Sequence, residues 1–204
     1  MKKIISLFQR NYDGDRLVRD EVVPGAEWVL AGEGTATEKY DGTACLVKDG
    51  QLYKRYDCKK GKTPPSGFIP AQSADPVTGH WPGWLSVQVT DPADKWFLKG
   101  WDALDERPDG TFECVGLKVQ GNPYGLKGHY LWEHGKTLLT NCPRDFNGIR
   151  QFLESKSIEG IVWHHEDGRM VKIKRRDFGL PWPLADALMA ERERTRKEEK
   201  NANS

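Results

Sequence analysis

Apolar and polar positions alternate most cleanly in two paired segments. Residues 43 to 48 and 51 to 56 flank Asp49-Gly50, and a two-residue Asp-Gly loop between alternating runs predicts a tight β-hairpin. If Lys48 faces Gln51, the register sets Arg55 opposite Ala44. Residues 161 to 165 and 169 to 174 flank Glu166-Asp167-Gly168 in the same way and predict a second hairpin, its glycine free to take the left-handed conformation. Residues 111 to 119 alternate as a strand, and Tyr130-Leu131-Trp132 reads as a short one. Helical spacing of Phe146, Ile149, Phe152 and Leu153 predicts a helix over 144 to 155. Asp91-Pro92 reads as an N-cap followed by a first-turn proline, opening a helix that packs Trp96, Trp101 and Leu104 into the core.

Two regions break the pattern. Between Gly61 and Pro92 the prolines and glycines predict a long irregular insertion, anchored in its second half by Trp81 and Trp84. From Leu184 to Lys200 the chain becomes rich in Ala, Glu, Arg and Lys, which predicts a charged helix with a solvated end. The domain expectation is therefore a single unit over 1 to 183, with an insertion at 61 to 92 and a C-terminal helix and tail at 184 to 204.

Composition narrows this further. The 204 residues suffice for a buried core, and 8 Trp, 6 Tyr and 7 Phe supply large apolar surfaces that disordered chains lack. No stretch approaches the roughly 18 to 20 apolar residues of a membrane span, and the Met1 to Phe8 start meets Gln9 and Arg10 before any signal core develops. A cytoplasmic protein with reduced thiols is expected, since Cys45, Cys58, Cys114 and Cys142 lack metal-site spacing. Net charge is +1, so composition neither demands nor forbids a nucleic-acid partner.

The ordering of charged residues says more. Glu38-Lys39-Tyr40-Asp41-Gly42 stands directly before the first hairpin. Downstream come Lys54-Arg55, Phe112-Glu113-Cys114-Val115-Gly116, Glu159-Gly160-Ile161-Val162-Trp163 and Val171-Lys172-Ile173-Lys174. Lys172 and Lys174 are two apart in a strand pattern and share a face, while Val171 and Ile173 share the other. His164-His165 sit next to each other on a strand and so point to opposite faces, which disfavours a metal pair. Lys59-Lys60-Gly61-Lys62 suits either RNA phosphates or plain solvation.

Taken in order, these motifs resemble the covalent nucleotidyltransferase superfamily of ATP-dependent RNA and DNA ligases and mRNA capping enzymes. The match spans residues 38 to 174. The resemblance implies an α+β, ATP-grasp-like nucleotidyltransferase core of antiparallel β-sheets flanked by helices. It implies that Lys39 attacks the α-phosphate of ATP to form lysyl-AMP, with Lys172, Lys174 and Arg55 as the cations that favour a deprotonated amine and neutralise the leaving pyrophosphate. Glu113 would hold the ribose, Glu159 a divalent metal, Mg²⁺ or Mn²⁺, with Asp41 assisting, and a second ion would ride on the pyrophosphate. Glu38 would meet adenine through its backbone. An adenine sandwich would use Val162 and Trp132, with Tyr130 and His134 competing for the latter place. Strict two-residue parity at Asp167-Gly168 would instead turn Ile161 to the lysine face, a three-residue Glu166-Asp167-Gly168 loop returns Val162 to it, and the sequence leaves both registers open.

Members of this superfamily that act on DNA or caps append an OB-fold after the Lys-x-Lys strand. The 30 or so residues after Lys174 read as helical and charged, so no appended OB domain is expected. Gly121-Asn122-Pro123-Tyr124-Gly125 and the stretch from His129 to Gly135 resemble a small RNA ligase family. The expectation is a monomeric, minimal RNA ligase acting in RNA repair, joining 5′-phosphate and 3′-hydroxyl RNA ends. A DNA ligase or capping-type enzyme, and a non-catalytic nucleotide- or RNA-binding module, are the rival readings.

Overall fold

The computed structural model describes residues 4–184, and the helix expected beyond Leu184 lies outside the described residues. These residues form two compact units. The chain builds part of one unit with β1 (Ile5–Ser6), β2 (Phe8–Arg10), β3 (Val18–Val22), α1 (Glu27–Leu30) and β4 (Thr35–Lys39). It builds the other with β5 (Thr43–Lys48), β6 (Gln51–Cys58), β7 (Ile69–Pro70), β8 (Trp81–Ser86), α2 (Lys95–Asp102), β9 (Gly110–Gly116) and β10 (His129–Glu133). It then returns to the first unit with α3 (Phe146–Ser155), β11 (Gly160–His164) and β12 (Met170–Lys174). The fold is mixed α+β, and among the described residues no helix is long and apolar enough to cross a membrane.

In the first unit a four-stranded sheet runs β1-β12-β11-β4. β11 pairs antiparallel with both neighbours, whereas β1 joins β12 in parallel, a departure from the all-antiparallel expectation. One face carries Ala36, Ile161, Trp163, Val171 and Ile173, all buried against Leu7, Phe8, Val29, Ile149, Leu153 and Phe178. Burial of each large aliphatic chain contributes roughly 1.5–3 kcal/mol, which fixes the strand parity and so decides what the other face presents. Asp145 caps α3 by accepting from the Gly148 amide at 2.8 Å, and Ile149 and Leu153 of that helix enter the core.

The second unit holds a six-stranded sheet in the order β10-β9-β5-β6-β8-β7. The β5–β6 turn has positive φ at both Asp49 (51°) and Gly50 (72°), the requirement of the tightest hairpin, and Lys48 does face Gln51. Cys45, Val47, Leu52, Phe112, Cys114 and Leu131 form a core that Phe97, Trp101 and Leu104 cover. Phe97, Trp101 and Leu104 follow the i, i+4, i+7 spacing. Trp96 falls off that stripe and stacks on His129 instead, with centroids 4.5 Å apart.

The segment expected to be irregular from Gly61 to Pro92 contributes β7 and β8 to this sheet. Pro82 and Gly83, read as loop punctuation, are strand residues. A Cβ on Gly83 would come within 2.3 Å of the Phe68 ring and 2.5 Å of the Ile69 carbonyl oxygen, so the glycine serves a close approach within the sheet.

Candidate functional site

On the four-stranded sheet the expected residues gather by register. Lys39 pairs with Gly160, and Gly160 with Lys174, so both lysines flank a residue without a side chain. In the adjacent row Thr37 pairs with Val162 and Val162 with Lys172. Strand pleating puts both rows on one face, opposite the apolar core. The loop between β11 and β12 spans five residues, with the His165 amide donating to the Arg169 carbonyl, and this resolves the register in favour of Val162 over Ile161. Glu38 pairs with Ile161 and belongs to the buried face, and its amide donates to the Thr137 carbonyl at 2.9 Å.

Lys39 Nζ donates to Glu159 Oε2 at 2.6 Å and to the Tyr40 carbonyl at 3.0 Å. Glu159 is buried, so this ion pair sits largely out of water and holds the amine at a fixed place. Burial pushes Lys172 down to about 8, and the positive charges of Lys39 and Lys174 push in the same direction, against Glu159 and Asp177. Lysines crowded on one face favour the arrival of an anion.

Glycine at 160 has a steric cause. A Cβ there would stand 2.2 Å from the Ile173 carbonyl oxygen and 3.0 Å from Lys174 Cα. β11 and β12 approach too closely for any side chain, and that approach brings Lys174 up to the Lys39 row. The end of β12 is fixed by residues outside the motifs. Asp177 accepts from the Lys174 amide through Oδ2 at 2.9 Å and pairs with Arg10 through Oδ1. Arg175 donates to the Pro181 carbonyl at 2.9 Å and to the Lys156 carbonyl at 2.8 Å. Only the position of Asp177, three residues after Lys174, offered a sequence signal, as an acid in the first turn of the short 3₁₀ segment Arg175–Phe178.

The six-stranded sheet carries its own row. Trp132 pairs with Glu113, Glu113 with Ala44, and Arg55 with Trp84, while continuation of the β5–β6 register sets Ala44 beside Arg55. Trp132, Glu113 and Arg55 therefore share one face. Tyr130 and His134 have the same parity as Trp132 on their strand direction. His134 Nε2 lies 2.8 Å from Glu113 Oε2 and its other ring nitrogen 3.0 Å from Thr111 Oγ1, so the imidazole orients the carboxylate. Arg55 donates to Asp57 at 3.2 Å and lies 5.3 Å from the Trp84 ring. Lys54 points to the opposite face and pairs with Asp94.

Gly42, the last residue of Lys-x-Asp-Gly, precedes β5 where it runs beside β9. A Cβ on it would stand 2.2 Å from the Cys114 carbonyl oxygen and 2.9 Å from Glu113 Cγ. The motif glycine is thus required by packing against the strand that carries Glu113. Asp41 lies at the start of this same unit.

Among the described residues no three His, Cys, Asp or Glu side chains gather as a cation cage. Mg²⁺ commonly uses one or two carboxylates and keeps several waters, and the buried oxygen donor Glu159 suits that mode. His164 and His165 do not form a pair: His164 meets Thr37 Oγ1 at 3.0 Å and His165 meets Glu33 at 2.7 Å.

Comparison with known proteins adds independent information. The sequence profile of the RNA ligase 1 family matches residues 101–203, a span that includes Glu113, Trp132, Glu159, Val162, Lys172 and Lys174. RNA ligase 1 of Rattus norvegicus is 30% identical, over 76% of this chain and 70% of the relative. The Mus musculus protein of the same name is 30% identical over 76% and 69%, and that of Danio rerio 29% over 76% and 70%. With about half its length under the profile and most of it aligned to such relatives, this chain belongs to the RNA ligase 1 family.

Proposed function

We propose that the protein is an ATP-dependent RNA ligase that works through a covalent lysyl-AMP. The observation that carries this reading is the placement of Lys39, its amine held 2.6 Å from Glu159 on the sheet face that also presents Lys172 and Lys174. Family membership supports RNA as the substrate, and the order of motifs supports the nucleotidyltransferase core.

The chemistry follows from the groups present. Lys39 Nζ, its proton passed to Glu159 Oε2 at 2.6 Å, attacks the α-phosphorus of ATP, a P–N bond forms, the bond to the bridging oxygen breaks, and pyrophosphate leaves with the electron pair. Lys172 and Lys174 lie on the same face to offset charge developing on the phosphates. Lys172, which burial pushes down to about 8, gives up its proton more readily than an ordinary lysine and can relay a proton on that face. Glu113, oriented by His134, suits a ribose diol as a hydrogen-bond acceptor, and Trp132 on the same row presents a π-face to a base. Val162 provides an apolar patch beside Lys172. Glu159 would hold Mg²⁺ or Mn²⁺, which when bound supplies charge neutralisation of the phosphates. AMP then passes from Lys39 to the 5′-phosphate of an RNA end, and a 3′-hydroxyl displaces it to form the phosphodiester.

Intact-mass spectrometry after incubation with ATP and Mg²⁺ tests the first step. A mass gain of one AMP in the wild type, absent in Lys39→Ala, is expected. Wild-type protein that is folded, cleared of bound AMP and still unlabelled would overturn the reading. Joining of matched RNA and DNA nicks, with ATP or GTP, separates the RNA ligase from a DNA ligase or capping-type enzyme.

A further inference from the structure

The insertion between Gly61 and Pro92 and strand β6 form a partly open cavity of about 110 Å³ lined by Arg55, Asp57, Gln72, Asp75, His80 and Pro82. None of these except Arg55 belongs to the motifs. We infer that this cavity is a ribose pocket for the RNA strand, and that it distinguishes RNA from DNA by the 2′-hydroxyl. The inference takes its ligand from the RNA-ligase reading.

Size is the first constraint. Pockets that enclose a whole nucleoside-sized ligand run to about 300 Å³ or more, and a water occupies about 30 Å³ of liquid. A cavity of this volume suits a sugar ring better than a whole nucleoside.

Charge is the second. Two carboxylates, Asp57 and Asp75, face one guanidinium, Arg55, so the lining is at most neutral even with His80 protonated. A phosphate would gain nothing there. Sugar hydroxyls donate to carboxylates and accept from amide, imidazole and guanidinium N–H groups, and the lining presents both kinds. A 2′-hydroxyl is both donor and acceptor, which is the property that separates ribose from deoxyribose.

Rigidity is the third. The Asp75 amide donates to the His80 carbonyl at 2.8 Å, and Gly79 donates back to the Asp75 carbonyl at 2.8 Å, closing the turn that carries both side chains. Asp75 Oδ1 accepts from the Val77 and Thr78 amides at 2.9 and 2.8 Å. Trp81 Nε1 holds the Gln72 carbonyl at 2.8 Å, and the Trp81 ring packs on Phe68 with centroids 5.2 Å apart. β8 ties Pro82 to Asp57. The polar groups are therefore placed before ligand arrives, which lowers the cost of ordering them on binding. Arg55 connects the pocket to the row of Glu113 and Trp132, on the same sheet face.

The test compares binding of matched single-stranded RNA and DNA oligonucleotides to the full chain, by fluorescence anisotropy at fixed salt, for wild type and for Gln72→Ala/His80→Ala. Wild type is expected to prefer RNA, and the double variant to lose about tenfold in RNA affinity with DNA affinity unchanged, the effect of one or two hydrogen bonds. An RNA carrying a single 2′-deoxy sugar at the sensitive position should bind wild type as the variant binds RNA. Each single variant, Gln72→Ala or His80→Ala, gives the same readout should the double variant fold poorly. Equal loss for RNA and DNA, a salt-dependent loss typical of a phosphate contact, or no preference in the wild type would overturn the inference. AMP-adduct formation is measured alongside: its absence in wild type sinks the ligase reading, while an intact adduct with no RNA preference sinks only the pocket.

Discussion

In the four-stranded sheet, Lys39, Lys172 and Lys174 converge on one face and repel each other, with Glu159 bonded to Lys39. In the six-stranded sheet each charged group on the functional row has its own local partner, His134 for Glu113 and Asp57 for Arg55. The first arrangement is destabilising until an anion arrives, and the second is satisfied without one. Crowded, desolvated cations interact most strongly with charge that moves during reaction, whereas preoriented hydrogen-bond partners suit a ligand's ground state. The lysine face should therefore govern rate and the Glu113 row should govern nucleotide affinity.

The largest expected effect follows from that division. Lys172→Met should slow single-turnover formation of lysyl-AMP by about 10²- to 10³-fold with little change in the ATP concentration for half-maximal rate. Glu113→Ala should do the reverse, raising that concentration about 10- to 100-fold, the worth of a hydrogen bond to a charged group, with a smaller change in maximal rate. Exchange of these two signatures would break the comparison.

Stability offers a matched pair. Gly160→Ala and Gly42→Ala each drive a Cβ to 2.2 Å from a carbonyl oxygen, one in each sheet. Each should cost about 1–3 kcal/mol, a fall of about 2–4 °C in Tm per kcal/mol. Gly160→Ala should also lower the lysyl-AMP rate, because the strand it displaces carries Lys174. A thermal melt with a parallel rate measurement checks both.

A further effect is pH-dependent. The folded value of Lys172, about 8, is depressed below the ordinary 10.5. Between those values the unfolded chain binds more protons than the folded one, so unfolding free energy rises with pH across that window and the penalty is full below it. Denaturant titrations from pH 7.5 to 10 should show this rise in wild type and its loss in Lys172→Met.

Much of this was legible in the sequence where side-chain period and turn chemistry agreed. Asp49-Gly50 and the Lys172–Lys174 spacing set the strands and faces that the structure displays. The choice of Val162 over Ile161 was not legible, because both a two-residue Asp167-Gly168 turn and a three-residue Glu166-Asp167-Gly168 loop fit the same residues, and only the His165–Arg169 bond selects the latter. β8 was hidden because Pro82 and Gly83 carry loop signals, and the reason for Gly83 lies in Phe68 and Ile69. The Glu113–His134 bond joins residues 21 apart on neighbouring strands, and only the β9–β10 register reveals it.

β4 is the edge of its sheet, and beyond an isolated bridge from Thr37 to Leu138 its ladder is with β11, so Lys39 is paired with Gly160 across 121 positions of chain. During synthesis that strand leaves the ribosome with Lys39 long before either its strand partner or its carboxylate, Glu159, has been made. Such distant pairing closes late. The nascent chain can thus acquire the whole six-stranded sheet, including the row of Glu113, while Lys39, the proposed nucleophile, still has no sheet to stand in, and its pairing with Gly160 and Glu159 forms only once translation has passed β11.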